Sequence, residues 1–591
     1  IMPRTTLALT SFVSGELGAK LDGRTDFNKY NTGAKTLENF LIHPQGAATR
    51  RVGTQFIAEV KDSSKKTRLI PFEFSTEQTY ILEFGDQYIR FYKDKGQILS
   101  GGSAYEISSP YLEAELFDIK FAQSADVMYL CHPNHDVRKL SRTGHTSWTL
   151  NTVSFTTTGL TLNISGADDR PSCVSFFEQR LVFANTNNNP QTLWFSKAGD
   201  YENFTTGTNA DDAMVYTIAS NQVNAIQYLK AVRTLVVGTS GGEFTVSADG
   251  TDASITPTNI TIKRQSSFGS AGVDAIPAGN AVLFLQKAKR KIRELAYNFD
   301  SDGYVAPDLT ILNDTVTQSG INQMVFQQEP DSIIWCVRDD GVLAGLTYQR
   351  SENVVAWHRH IFGGVFGSGD AVCESAASIS GDLTEDELWV IVKRTINGST
   401  KRYVECFSKF DFDETDATDF KFLDSHLSYS GSSTNTLSGL DHLEGQTVSV
   451  LADGSVHADK TVSSGSITLD RNVTSACVGL SYDSILQTMR IEGGAAEGTS
   501  QGKTKRISKV VLRLFETVGV KVGPTLNDLE TVPFRTTSSN LSAPVDTLLA
   551  GDREIEFRDD YNSDGFIFIK QDQPLPCSIL AIYPTLVTSD G

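Results

Sequence analysis

The sequence predicts an all-β protein: a β-propeller of six to seven blades with one or more small β-barrel or sandwich domains attached. Three observations predict it. Short apolar, β-branched runs alternate with clusters of Gly, Asn, Asp and Ser along most of the chain. One type of run recurs at near-constant spacing. Stretches with helical character are few, the best being residues 26–41 and 205–222.

The recurring run begins near Tyr80 (YILEF), Val127 (VMYLC), Leu181 (LVFAN), Leu235 (LVVGT), Val282 (VLFLQ), Ile333 (IIWCV) and Leu388 (LWVIV). Successive starts lie 47, 54, 54, 47, 51 and 55 residues apart. Most are followed by a tight polar turn and a second strand, as at Gly241-Gly242 and Asp339-Asp340-Gly341, where glycine supplies the positive φ of a short hairpin. A period of about 50 residues with several strands per unit marks a propeller, because one blade buries its apolar surface only against its neighbours. The chain divides accordingly into an N-terminal docking segment (1–53), the propeller (54–410) and a C-terminal β region (411–591). The last part opens on the acidic connector Asp411–Asp419. It holds strand-like runs at Thr447–Leu451, Ser466–Leu469, Lys509–Phe515, Glu554–Phe557 and Phe566–Ile569.

Composition narrows the function. The 591 residues include 52 basic and 71 acidic side chains, a net charge of −19, with 39% hydrophobic and 21% charged residues. That is too apolar for a disordered chain and too polar for a membrane protein, so no membrane insertion is expected. An acidic chain does not suit a protein that grips DNA by neutralising phosphates, although it allows one that surrounds DNA without holding it. The first residues carry no long apolar stretch, so no secretory leader is expected. Seven scattered cysteines, none in a C-x-x-C pair, read as buried free thiols of a protein made in a reducing cytoplasm.

Several motifs could carry chemistry, and each also has a structural reading. Cys131-His132-Pro133-Asn134-His135 offers three zinc ligands, but no matching His or Cys pair completes the set, and no metal is expected. His358 and His360 share a strand face without an identifiable third ligand. Asn298–Gly303, Asp411–Asp416 and Asp560–Gly565 resemble calcium loops. At the first and last of these the acid required at the twelfth position is replaced by Leu309 and Gln571, so they read as Asx-rich turns. Gly498–Thr504 misses the phosphate-loop spacing by one residue. Gly238–Gly242 and Gly498–Gly502 match the Gly-x-Ser-x-Gly elbow by letter, yet both lead into strands rather than the helix the elbow needs. No catalytic residue and no cofactor site are expected, and the chain is not read as an enzyme.

Two basic clusters stand against the acidic background: Lys287, Lys289, Arg290, Lys291 and Arg293, and Lys503, Lys505, Arg506, Lys509 and Arg513. Alternation places several of the second set on one strand face. They read either as a solvated edge that blocks aggregation or as a contact with a channel lumen or acidic partner. Neither cluster is interleaved with aromatics as single-strand binding requires.

The most specific stretch is N-terminal. It runs through Ser11-Phe12-Val13-Ser14-Gly15-Glu16-Leu17, Gly23–Tyr30, Leu37-Glu38-Asn39-Phe40 and Pro44–Phe56. This run, with Gln179–Ala184, Leu193–Ser196, Leu235–Thr239, Gln265–Ser270, Val355–His358 and Leu388–Val390, resembles the tail nozzle (tail tubular protein B) family of short-tailed bacteriophages. The resemblance implies a virion tail protein made in the host cytoplasm, in which a homo-hexameric ring docks on an adaptor (gatekeeper) ring. It implies that the ring bears tail fibres or spikes and opens to let genomic DNA pass, without specific nucleic-acid binding. Arg50, Arg51 and Phe56 are then candidate docking or interface residues. The alternative is a virion-surface propeller that binds or cleaves glycans.

Overall fold

The computed structural model describes residues 4–157, 166, 168–219, 223–250, 253–381, 385–409, 412, 416–493, 499–534 and 548–589. Among them the chain is built from β-strands and a few short 3-10 turns. Among the described residues both expected helical stretches are instead turns leading into strands, Gly33–Glu38 with Phe40–Ile42 and Met214–Thr217, residues 220–222 lying outside them. Strand pairing decided this, since Leu37 lies opposite distant Leu486, and Val215 opposite Trp194 of the preceding strand.

Seven antiparallel meanders form the propeller. Blade 1 runs Arg68–Glu73, Thr79–Gly85, Tyr88–Lys93 and the short outer strands Gly96–Gln97 and Glu106–Ser108. Blades 2 to 6 begin at Lys120, Cys173, Ile226, Ile276 and Ile321, each with four strands in sequence order. Blade 7 comprises Gly369–Ser380, Asp386–Ile396, Ser399–Phe407 and, as its fourth strand, Thr54–Glu59 from the far end of the chain. Thr54–Glu59 thus closes the last blade rather than opening the first.

The seven recurring runs are the second strands of the seven blades. They are continuously apolar because both faces are covered: alternate side chains point to opposite faces of the sheet, and each face meets a neighbouring blade. Met128 and Leu130 pack toward blade 1, whereas Tyr129 and Cys131 pack toward blade 3. Leu181 and Phe183 continue that second layer, and Val182 and Ala184 enter the next one. The pattern repeats to blade 7, where Trp389 and Ile391 meet Leu69, Ile81 and Tyr92 of blade 1 and close the ring.

Two β units join the propeller. The first is a sandwich. One of its sheets runs Phe40–Ile42, Ala48–Arg50, Ser578–Ser589, Thr504–Thr517 and Leu549–Glu556, with Arg4–Thr6 added on Ser578–Ser589. The other runs Gly33–Glu38, Ser484–Thr488, Phe568–Gln571, Lys521–Thr525 and Asp528–Thr531, continuous with blade 6 through Glu38 and Arg359. Leu37, Phe40, Ile507, Val510, Leu512 and Ile582 fill the space between them. The expected separate docking segment is therefore corrected: residues 4–53 supply strands to a domain whose other half lies more than 400 residues away, and a linear reading cannot see that pairing. The second unit, Asp424–Ser438, Ser466–Leu480, Thr447–Ala452 and Ser455–Thr461, extends blade 7 through the bridge of His426 to Gln55. Residues 411 and 413–415 of the acidic connector lie outside the described residues, and Ala417–Asp419 form a short 3-10 turn.

Candidate functional site

Two charged centres stand out. The first lies where propeller, sandwich and second unit meet, and it contains Arg50 and Arg51, both fully buried. Arg51 forms a bidentate pair with Asp424, Nη1 to Oδ1 at 2.8 Å and Nη2 to Oδ2 at 2.7 Å. It also donates to Asn39 Oδ1 and to the carbonyls of Val52 and Ile361, and lies 3.8 Å from the Tyr482 ring centroid. Asp424 also accepts from the backbone N–H of Thr54 and Gly363. Burial works against its charge, but Arg51 outweighs this and holds the carboxyl below its ordinary range. Arg50 has no such partner carboxylate among the described residues. It donates to the carbonyls of Gln573, Leu575 and Tyr482, sits over the Tyr482 ring, and has its pKa lowered by burial.

Thr54 carries the network onward, its hydroxyl donating to Glu405, which pairs with fully buried Arg394. The backbone is fitted as closely. A Cβ on Gly53 would fall 1.8 Å from the Leu423 carbonyl oxygen. Gly15, at φ +65°, would place one 2.3 Å from Trp357 N. Arg50 and Arg51, expected as docking residues, are thus internal clamps with no surface to offer a partner. Phe56 is also internal in function: it stacks on His442 at 3.9 Å and meets Tyr403 edge-on at 5.0 Å, joining blade 7 to the second unit.

The second basic cluster departs from simple alternation. A register shift between Ile507 and Lys509 reverses which side chains face inward. Lys505 is buried and donates to the Ile491 carbonyl, while Arg506 is exposed. Beyond the shift Lys509 and Arg513 face outward and pair with Glu554 at 3.0 Å and Asp552 at 2.7 Å on the adjoining strand. Lys503 precedes the strand and is half-buried. The cluster is therefore split between core and surface, and two of its outward members, Lys509 and Arg513, already have acidic partners. In the first cluster, Lys291 pairs with Asp308 and Arg293 lies over the Phe268 ring.

Blade 2 gathers Glu115, His132 and His135 within 4.8 Å of one another, a grouping the sequence reading missed because Glu115 comes from the preceding connector. His135 Nε2 and Glu115 Oε2 lie 2.7 Å apart. The backbone N–H of Asn134 donates to His132 Nδ1, which leaves the proton on Nε2 and no lone pair there for a metal. Cys131 turns into the blade 2–3 core, where burial pushes its thiol pKa up. Gly238–Gly242 is the hairpin between two strands of blade 4. Ser500 is buried and its Oγ accepts from Gly493 N. Asn298 and Asn562 cap tight turns through their side-chain oxygens. All seven cysteines are buried and unpaired, and no helix among the described residues is long and apolar enough to cross a membrane.

The second charged centre is the propeller channel, lined by the first strands of the blades and their connectors around a cavity of about 270 Å³. Arg68, Lys120 and Lys230 converge there on Asp274, the one acid among the described lining residues. Lys120 Nζ lies 2.9 Å and Arg68 Nη2 3.9 Å from the Asp274 carboxylate. Lys120 also donates across the channel to the Gly272 carbonyl, and Arg68 Nη1 to the carbonyls of Leu116 and Ile119. Burial opposes the charge on Asp274, but Lys120 and Arg68 outweigh it and hold the carboxyl low.

No family model matches the chain, and no curated protein matches it. Among solved structures the chain is similar to the β-propeller domain of Cps50 (Swd1) from Myceliophteria thermophila, with 9% identity, 60% of this chain and 100% of that one covered, and a TM-score of 0.37. It is similar to the WD40 domain of Pan2 from Neurospora crassa, with 9% identity, 62% and 98% covered, and a TM-score of 0.36. It is also similar to the RRP9 WD40 repeats, with 9% identity, 61% and 100% covered, and a TM-score of 0.38. At such TM-scores the propeller assignment rests on the strand order of this chain and not on these neighbours.

Proposed function

We propose that this chain is a structural subunit of the tail nozzle of a short-tailed bacteriophage. In this reading six copies close into a ring beneath an adaptor ring, carry fibres or spikes, and enclose the path by which genomic DNA leaves the virion. The supporting observation is where the N-terminal run falls. Its Gly15, Asn39, Arg50, Arg51 and Gly53 are the residues that lock propeller, sandwich and second unit together. A wall that withstands passage of a stiff polymer needs such locking more than it needs a reactive group.

The propeller channel is not that path. A cavity of about 270 Å³ crossed by Lys120 and Arg68 leaves no room for a duplex whose major groove alone is about 12 Å wide. The DNA path must run between subunits, enclosed by heterologous contacts repeated around a ring. Electron microscopy of the purified chain mixed with its adaptor, or of virions, should show a six-fold tube at the tail tip with the propellers around the lumen. A chain that remains monomeric and never enters a tail, or a lumen that threads the propeller, would overturn the reading.

A further inference from the structure

We propose that the propeller channel binds a small oxyanion, a phosphate or a carboxylate, between Arg68, Lys120 and Lys230. The argument starts from charge. Three cations face one carboxylate in the cavity, which leaves a surplus of two positive charges inside a chain of net charge −19. Exposed Asp118 on the blade 1–2 connector adds a further pull on Arg68 from outside. A charge removed from water is offset only by a counter-charge or by complete hydrogen bonding; Lys120 has Asp274 and the Gly272 carbonyl, whereas buried Arg68 and half-buried Lys230 have neither in full.

Arg68 is 5% exposed, and its Nε is buried without a hydrogen-bond partner. Its Nη2 reaches Asp274 at 3.9 Å, too far for a hydrogen bond. Lys230 lies in the cavity wall with no hydrogen-bond partner among the described residues, and burial lowers its pKa. These unspent donors belong to blades 1 and 4, with Lys120 of blade 2 beside them, so they approach the cavity from different directions. Donors spread in this way suit an anion with several oxygens, and a guanidinium presents the fork that such oxygens accept. The cavity is also several times the roughly 30 Å³ share of one water, more than a halide would fill.

The test is titration of the full chain with sodium phosphate, sulfate or acetate against chloride at constant ionic strength, followed by calorimetry and thermal unfolding. Saturable binding of phosphate, sulfate or acetate is expected, and the preferred anion separates a phosphate source from a carboxylate source. Lys230→Met should weaken binding at least tenfold. Asp274→Asn enlarges the positive surplus and should tighten binding at least tenfold, a gain that misfolding cannot imitate. The proposal fails if no oxyanion binds saturably, or if Asp274→Asn and Lys230→Met bind as the parent does. Should Lys230→Met not fold, Asp274→Asn and Lys230→Gln decide the matter.

Discussion

At the scale of single residues, burial separates ion pairs that matter for stability from those that do not. The Arg51–Asp424 pair is fully buried, and both groups have further hydrogen bonds to lose. Removing one partner strands the other charge in the interior, which costs about 3–5 kcal/mol. Asp424→Asn is therefore expected to lower the unfolding free energy by that amount in urea denaturation. Arg513→Ala breaks an exposed pair with Asp552 that water and salt screen, and should lower the urea midpoint far less. Equal losses in the two variants would refute the distinction.

Buried histidines give a pH prediction at the same scale. Burial pushes His358 and His426 down to about 3 and His442 to about 4. Between those values and the ordinary 6.5 the unfolded chain binds protons that the folded chain refuses, so these groups make stability fall as pH drops below about 6.5. Glu83, raised by burial, acts in the opposite sense, so the test is by difference. His426→Gln should reduce the slope of stability against pH near pH 5 by about one proton. An unchanged slope would show that His426 does not titrate as described.

At the scale of elements, the most legible features were those whose cause is local. The seven apolar runs could be read because each second strand is buried on both faces, so hydrophobicity is continuous where an exposed strand would alternate. The fourth strand of blade 7 could not be placed, because Thr54–Glu59 carries no mark of the partner that lies at Ser399–Phe407. The same holds for Gly33–Glu38, read as helical until its pairing with Ser484–Thr488 is known. Charge alternation in Lys503–Arg513 misled for a smaller reason, one register shift beside Ser508. The closing strand yields a prediction of its own. A chain starting at residue 60 loses the N-terminal strands of the sandwich together with the fourth strand of blade 7, and leaves Ser399–Phe407 as an unpaired edge, an invitation to aggregate. It should elute as oligomers or aggregates, with the fluorescence of Trp389, buried at the blade 7–1 seam, shifted to the red. A monomeric truncated chain with parental fluorescence would show that the ring closes without this strand.

At the scale of the whole molecule, the candidate site was legible in chemistry but not in position. Arg50, Arg51 and Phe56 were picked out from the sequence, but only the fold reveals that they face inward toward Asp424, Tyr482 and His442. The channel cluster was not legible at all, because Arg68, Lys120, Lys230 and Asp274 are separated by tens of residues and meet only when the blades close. Net charge bears on the proposed role most directly. Affinity for duplex DNA in simple salt comes from cations that displace counterions at phosphates. Here the outward members Lys509 and Arg513 of the most basic strand are answered by Glu554 and Asp552, and the surplus cations are enclosed in a channel that a duplex cannot enter. The outward face of the most basic strand is thus largely neutralised by its neighbour, and a wall that DNA must slide past gains from that. Mixed with linear duplex DNA at about 150 mM salt, the chain should give no mobility shift at micromolar concentration. Any residual binding at low salt should depend on only one or two released counterions. A complex stable at physiological salt, or a steep dependence of affinity on salt, would mean that the subunit grips DNA and would count against its acting as a passive conduit.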